Sequence, residues 1–189
     1  MTSMSTADFE ARYRADSDPW GYRSSEYERG KYEATLAACG PGPFDSALEL
    51  GGSIGVFSAM LAPRCRSLVT VDAAPTAVRE ARARLRDEAA VEVVLGELPA
   101  AIPVRAYTLV VASEILYYLP AEVLEATFTS LTMRMAPGAR MVAVHWRPGG
   151  PERPFTAAEV HDRLRSRPWL TLLTSSPTED YLLDVLERT

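Results

Sequence analysis

Cysteine and histidine are both scarce in this 189-residue chain, with two of each. Cys39 and Cys65 have no C-x-x-C spacing and sit in or beside apolar segments. They read as buried thiols rather than as a disulfide or a metal site. Basic residues are not in excess: 20 Lys and Arg stand against 25 Asp and Glu, a formal net charge of -5. That balance argues against nucleic acid, whose phosphates select basic surfaces. No apolar run approaches the roughly 18 residues of a membrane span. Met1 to Arg14 lacks the apolar core of a secretory signal. No internal repeat or low-complexity segment is visible. What is present is ordinary globular composition, 47% hydrophobic and 24% charged. The expectation is one cytoplasmic domain, long enough to bury a substantial core, a monomer or weak homodimer with no nucleic-acid or membrane partner.

The apolar runs set the fold class. Ser46–Leu50, Leu68–Val71, Val91–Leu95, Tyr107–Ala112 and Arg140–Trp146 read as strands, and helical patterns lie between them. Pro75 fits the first position of one helix, and Pro120 opens another that Pro137-Gly138 ends. Uninterrupted apolar strands alternating with helices predict a parallel sheet covered on both faces. Right-handed crossovers then give a doubly wound, Rossmann-like α/β sheet. Thr156 with Glu159 predicts a capped helix. The β-prone runs Trp169–Thr174 and Tyr181–Leu186 predict a C-terminal antiparallel hairpin, seven strands in all. Residues 1–42 are expected as a helical lid over a core of 43–189. Ser25 with Glu28 resembles a capping box at the start of the lid's second helix.

Ligands of such sheets bind outside the carboxyl ends of the strands. Polar residues collect there: Glu49, Asp72, Glu97, Ser113, Glu114 and His145. The first strand runs into Glu49-Leu50-Gly51-Gly52-Ser53-Ile54-Gly55. A dinucleotide fingerprint would place glycine at positions 53 and 56, which are Ser53 and Val56. Glu49 before the turn repels a pyrophosphate and suits a ligand bearing an amino group or sulfonium. Asp72, ending the second strand, is placed to take both hydroxyls of a ribose. Glu97 can reach an adenine amino group, with Leu98 packed on the ring. Read singly, Asp72 and Glu97 are equally well strand-end surface carboxylates; three acids at three successive strand ends favour a site.

The series E-L-G-G-S-I-G at 49–55, V-D-A ending at Ala73, and G-E-L-P from Gly96 resembles the motifs of class I S-adenosylmethionine-dependent methyltransferases. The resemblance covers residues 46–146. It implies that Glu49, Gly51, Gly52, Ser53 and Gly55 line the methionine half of S-adenosylmethionine. Asp72 and Ala73 would line the ribose, and Gly96, Glu97 and Leu98 the adenine, with Ser113 also binding the cofactor. Ser53 departs from the family's middle glycine, and Glu97 stands where Asp is commoner. A closer similarity, over nearly the whole chain, is to the NodS family. It rests on Asp18-Pro19-Trp20-Gly21-Tyr22, Tyr27-Glu28 with Lys31-Tyr32, Ser113 to Leu119, His145-Trp146-Arg147 and Val160-His161. It implies methyl transfer to the amine of a small, polar, amino-sugar-like acceptor, as in rhizobial enzymes acting on a de-N-acetylated chitooligosaccharide.

Such a reaction needs alignment, water exclusion and removal of the acceptor's proton. Glu114 or His145 is expected to take that proton, with Tyr117 and Tyr118 walling the site and one of those two structural. Tyr117 is counted with Glu114 and His145 in the catalytic set. A strand-end histidine satisfied by a neighbouring carbonyl is an equal reading for His145, and a helix-face residue is the plainer one for His161. Trp20, Tyr22 and Tyr27 are expected to fold over the cofactor, adding cation–π attraction to a sulfonium. Lys31 or Arg29 is expected to take the methionine carboxylate. No metal is expected, because a metal-dependent transferase would want an Asp/Asn cluster at the fourth and fifth strand ends. Two alternatives stay open: an O-methyltransferase of sugar or natural-product hydroxyls, and a cofactor-binding module without catalysis.

Overall fold

The structure, a computed structural model, describes residues 4–189. Met1–Ser3, the start of the stretch read for a secretory signal, lie outside the described residues. Among the described residues six α-helices flank seven strands: α1 (Thr6–Ala15), α2 (Glu26–Cys39), β1 (Ala47–Leu50), α3 (Val56–Leu61), β2 (Leu68–Asp72), α4 (Pro75–Arg84), β3 (Val91–Leu95), β4 (Tyr107–Ser113), α5 (Ala121–Arg134), β5 (Met135–Trp146), α6 (Ala157–Arg165), β6 (Leu170–Ser175) and β7 (Tyr181–Arg188). They form one sheet in the order β3-β2-β1-β4-β5-β7-β6. β1 to β5 are parallel, and β7 runs antiparallel between β5 and β6. The order reverses between β1 and β4, which opens a crevice at their carboxyl ends.

Strand side chains alternate between faces. Leu48, Leu50, Val69, Val71, Val110, Ala112, Met141 and Ala143 join one apolar cluster with Phe128 of α5 and Leu164 of α6. Ala47, Leu68, Leu109, Val111, Val142 and Val144 join the other, with Tyr32 of α2 and Phe57 of α3. Both faces are covered, so the central strands must be apolar at every position. β3 is the exception. It is a sheet edge, and Glu92 and Leu95 are exposed, where a buried strand was expected.

Other departures have local causes. α5 stops at Arg134, short of Pro137, because proline lacks the N–H and disfavours helix in the residue before it. β5 therefore begins at Met135 rather than Arg140. Its pairing with β4 jumps from Tyr107–Met135 to Leu109–Arg140, leaving Pro137-Gly138 as the excursion. α3 begins at Val56, since Ser53 and Gly55 are both left-handed. At α2, Ser25 accepts the Glu28 N–H, but the Glu28 carboxylate turns away to Lys31 instead of completing a capping box. The Thr156–Glu159 box is complete. α2 buries Tyr32 and Cys39 in the sheet's own core, so residues 1–42 are not wholly a lid. Cys39 and Cys65 are free thiols. Among the described residues no helix is long and apolar enough to cross a membrane.

Candidate active site

A cavity of about 730 Å³ lies over the carboxyl ends of β1 to β4, beneath α1 and the start of α2. Its floor is the turn after β1. The Gly51 and Gly52 N–H groups both donate to Val71 O, at 2.8 and 3.1 Å. This pins the turn against β2. A Cβ at Gly52 would lie 1.7 Å from Thr70 Oγ1, so only glycine fits. Ser53 takes φ +51, the left-handed conformation a glycine would supply, and its hydroxyl pairs with Tyr13 Oη. The departure from the family turn therefore changes the residue and keeps the backbone.

Asp72 is the best-prepared carboxylate in the cavity. Its Oδ2 accepts from Ser53 N–H at 2.8 Å and its Oδ1 from Ala74 N–H at 2.9 Å. Burial pushes its carboxyl upward, and the backbone donors oppose that. Ala73, Gly96, Glu97 and Leu98 continue the wall along β2 and β3. Glu97 is tied to α1, accepting from the Thr6 hydroxyl at 2.6 Å.

Glu49 does not face the cavity. β1 places Leu48 and Leu50 on one face, so Glu49 turns to the other, beneath the glycine turn and against α3. There it is 3% exposed and accepts from the Ser58 hydroxyl. Its expected contact with the ligand is thus corrected to support of the turn. Gly52 and Gly55 likewise shape the backbone without lining the cavity, whereas Gly51 and Ser53 line it. Burial pushes the Glu49 carboxyl up to about 7. A carboxylate raised in the fold penalises folding as pH climbs from its unfolded value near 4.5, and the penalty is complete above the folded value. Glu49→Gln, which keeps the hydrogen bond to Ser58, is expected to stabilise the protein at pH 8 by about 1–3 kcal/mol. The gain should fade as pH falls toward 4.5. Urea unfolding at the two pH values measures it.

The roof comes from the N-terminus. Phe9, Trp20, Tyr22 and Tyr13 form a run of ring contacts: Phe9–Trp20 at 6.2 Å, Tyr13–Trp20 at 5.4 Å and Trp20–Tyr22 at 5.8 Å. Phe9 also meets Tyr118 at 5.0 Å. Asp18 shapes the intervening turn by accepting the Tyr22 and Arg23 N–H groups. α1 is fastened to the rim by Thr6–Glu97, Tyr13–Ser53 and Glu10, which accepts both the N–H and hydroxyl of Thr76 at 2.8 Å. Tyr13, Glu10 and Thr6 escaped the sequence reading. The Phe9–Tyr13 aromatic pair, one helical turn apart, was the available signal for the first of them.

Across the cavity from Asp72 and Glu97 lies a charged cluster. Glu114, at the end of β4, has φ +57, and its N–H donates to Val144 O. Its carboxylate accepts from Tyr117 Oη and, at 3.1 Å, from Lys31 Nζ. Lys31, only 3% exposed, also donates to Glu28 at 3.0 Å and lies 5.3 Å from the Tyr27 ring centre. One ammonium between two carboxylates leaves one surplus negative charge. Lys31, expected to meet a methionine carboxylate, is thus already paired twice, and Arg29 points to solvent, its side chain 65% exposed. The Ser113 hydroxyl is buried in the wall with no hydrogen-bond partner among the described residues. A bound ligand can satisfy it.

His145 lies outside the cavity wall. It is fully buried, and its Nε2 accepts the Leu116 N–H at 3.2 Å. A backbone N–H can only donate, so the proton of neutral His145 sits on Nδ1. Nδ1 therefore donates to His161 Nε2 at 3.0 Å, and His161 Nδ1 donates to Asp184 at 2.8 Å. Arg165 closes the chain with two bonds to Asp184, at 2.8 and 2.9 Å. Burial holds the His145 imidazole well below its ordinary range, with His161 adding to the effect. A fully buried histidine with both nitrogens engaged cannot collect a proton from a ligand. The expectation of His145 as base gives way to a buried strut under the Leu116–Tyr118 turn.

The profile of the NodS family, described as Nodulation protein S, matches residues 4–145. The chain belongs to the NodS family. Curated NodS relatives include Nodulation protein S of Rhizobium tropici, 33% identical over 134 residues, 69% of this chain and 56% of that one. The Bradyrhizobium diazoefficiens relative is 32% identical over 133 residues, 69% of this chain and 64% of its own. The match thus spans less than two thirds of these relatives' length. Among solved structures, the N-methyltransferase NodS of Bradyrhizobium japonicum WM9 in complex with S-adenosyl-L-homocysteine superposes with a TM-score of 0.87 at 24% identity, covering 97% of this chain and 98% of that one. A methyltransferase-like protein of Pseudomonas syringae, itself described as unproven, is 35% identical with a TM-score of 0.76, covering 87% and 100%. The fold is that of class I methyltransferases. The NodS profile ends at His145, so α6, β6 and β7, which carry His161 and Asp184, lie beyond it.

Proposed function

We propose that this NodS-family chain is an S-adenosylmethionine-dependent N-methyltransferase of a small polar acceptor, of the amino-sugar kind. The whole chain acts as one domain, with α1 and the Trp20–Tyr22 turn closing the site. The observation that carries the reading is Asp72: a carboxylate held by two backbone N–H groups beside a turn in which Gly51 and Ser53 are left-handed, inside a cavity that ends at Glu114. The NodS relative solved with S-adenosyl-L-homocysteine shares the fold and supports the choice of ligand.

The residues present fit the cofactor. Asp72 would hold the ribose hydroxyls, Glu97 and Leu98 the adenine, and Gly51 and Ser113 the methionine portion. Tyr22, Tyr27 and Trp20 would face the sulfonium, an attraction of about 0.5–2 kcal/mol. When bound, S-adenosylmethionine supplies an activated methyl group, so the protein's own work is alignment and proton handling. Glu114 would receive the acceptor's ammonium, which the surplus charge of the Glu28–Lys31–Glu114 cluster attracts. Lys31 and Tyr117 fix the carboxylate in place, so it meets the amine without reorganising. α1 and its aromatic run exclude water. Glu114 would take the amine's proton, directly or through a water.

Labelled methyl transfer to a panel of amino sugars, a de-N-acetylated chitooligosaccharide and glucosamine 6-phosphate among them, tests the reading, with NMR locating the new methyl group. Methyl on nitrogen is expected; methyl on oxygen, or cofactor binding without transfer, overturns the N-directed reading. Glu114→Gln is expected to lower turnover about 100-fold or more, while calorimetry shows cofactor affinity unchanged. Unaltered turnover would remove Glu114 from the mechanism.

A further inference from the structure

Three cations line the cavity: Arg12, Lys31 and Arg153. Two of them are neutralised. Arg12 lies 2.5 Å from Glu152, and Lys31 lies 3.0 and 3.1 Å from Glu28 and Glu114. Arg153 has no ion-pair partner among the described residues. One of its nitrogens, Nη1, donates to Pro148 O at 3.0 Å, and its remaining side-chain N–H groups meet no acceptor there.

The guanidinium is nevertheless held firmly. Its central carbon lies 4.3 Å from the Tyr117 ring centre, 4.8 Å from Trp146 and 5.6 Å from Tyr118. Aromatic rings attract a guanidinium without accepting its in-plane N–H hydrogen bonds, which stay available to a ligand. A half-buried cation without a carboxylate is costly unless something supplies the negative charge. A planar fork with free edges matches a carboxylate or phosphate, which it binds through two parallel hydrogen bonds.

Its position ties it to the acceptor. The ring that carries Arg153 is Tyr117, whose hydroxyl holds Glu114. The surplus negative charge of the Glu28–Lys31–Glu114 cluster therefore meets the hydroxyl of one tyrosine, and the unpaired positive charge of Arg153 lies over the ring of the same residue. We infer that the acceptor is zwitterionic: beside the amine that Glu114 receives, it carries an anionic group, carboxylate or phosphate, that Arg153 binds. This rests on the methyltransferase reading and narrows its substrate class from amines in general to amines bearing an acid. Arg153 is the residue that sets this specificity.

The test is calorimetry on the protein saturated with S-adenosyl-L-homocysteine. Three sugars are titrated: glucosamine, glucosamine 6-phosphate and 2-amino-2-deoxyglucuronate. At least one of the two acidic sugars is expected to bind tenfold or more tightly than glucosamine, and which one does so distinguishes phosphate from carboxylate. Arg153→Gln should abolish the difference, and Arg153→Lys, which keeps the charge without the fork, should reduce it. Binding of S-adenosyl-L-homocysteine to each variant shows that it is folded, and if Arg153→Gln does not fold, Arg153→Lys decides. Equal binding of all three sugars, no binding of any, or a preference that survives the substitutions overturns the inference. Failure of the wild-type protein to bind S-adenosyl-L-homocysteine overturns the methyltransferase reading instead.

Discussion

Asp72→Ala is expected to weaken S-adenosyl-L-homocysteine binding by about 100-fold or more, read by calorimetry. Two effects add. In the role proposed for Asp72, the ribose would lose two charge-assisted hydrogen bonds, each worth about 1.5–3 kcal/mol. The Ser53 and Ala74 N–H groups also lose their acceptor, so the turn at Ser53 loses one of its anchors to β2, keeping those of Gly51 and Gly52 to Val71. Asp72→Asn keeps one oxygen for the ligand or the backbone and should fall between the two. An Asp72→Ala protein that binds as tightly as wild type would mean the cavity holds its ligand some other way.

Asp184→Ala should cost about 3–5 kcal/mol of folding stability, the scale for removing one partner of a buried ionic pair. Domains of this kind are stable by only about 5–15 kcal/mol, so a urea midpoint would drop sharply. The cause is the fully buried chain from Leu116 through His145 and His161. Without Asp184, the His161 Nδ1 proton and the inward edge of Arg165 face no acceptor. Burial raises the Asp184 carboxyl, but the bonds from His161, Arg165 and Ser175 outweigh it and hold the group far below its ordinary range. A depressed carboxyl gives stability that is present above its unfolded pKa, near 4, and is lost as pH falls through the folded value. His145 acts in the same direction at higher pH. The unfolded chain gains a proton near pH 6.5 that the buried ring refuses, so stability falls below that pH by about 1.4 kcal/mol per unit. Glu49 has the opposite sign between about 4.5 and 7. The two groups therefore oppose each other between about pH 5 and 6.5, and Glu49→Gln should steepen the loss of stability below pH 6.5.

The sheet was legible because every central strand is apolar on both faces, and the hairpin because Tyr181 to Leu186 follows a β-prone run so closely. The turn at Gly51–Ser53 and the carboxylate at Asp72 were legible because both are local: a strand, a tight turn and a second strand's end. Glu49 and His145 depart from expectation for one shared reason. Position at a strand's carboxyl end says nothing about face, which only the alternation along the strand decides. His145 follows Met141 and Ala143 at intervals of two and so lies with them beneath α5 and α6. Glu49 follows Ala47 and lies beneath α3. The fastening of α1 was beyond the sequence. Thr6–Glu97 and Glu10–Thr76 join residues far apart along the chain, and nothing in either segment signals its partner. Arg153 was hidden similarly, in a loop after β5 whose rings come from other elements.

On the function proposed, the cavity over β1 to β4 takes S-adenosylmethionine and not a dinucleotide. Isothermal titration of the intact chain with S-adenosyl-L-homocysteine, and separately with NAD, measures this directly. Saturable one-to-one binding of S-adenosyl-L-homocysteine with no heat from NAD is the predicted result. No heat from S-adenosyl-L-homocysteine at millimolar concentration, or saturable binding of NAD in its place, would contradict it.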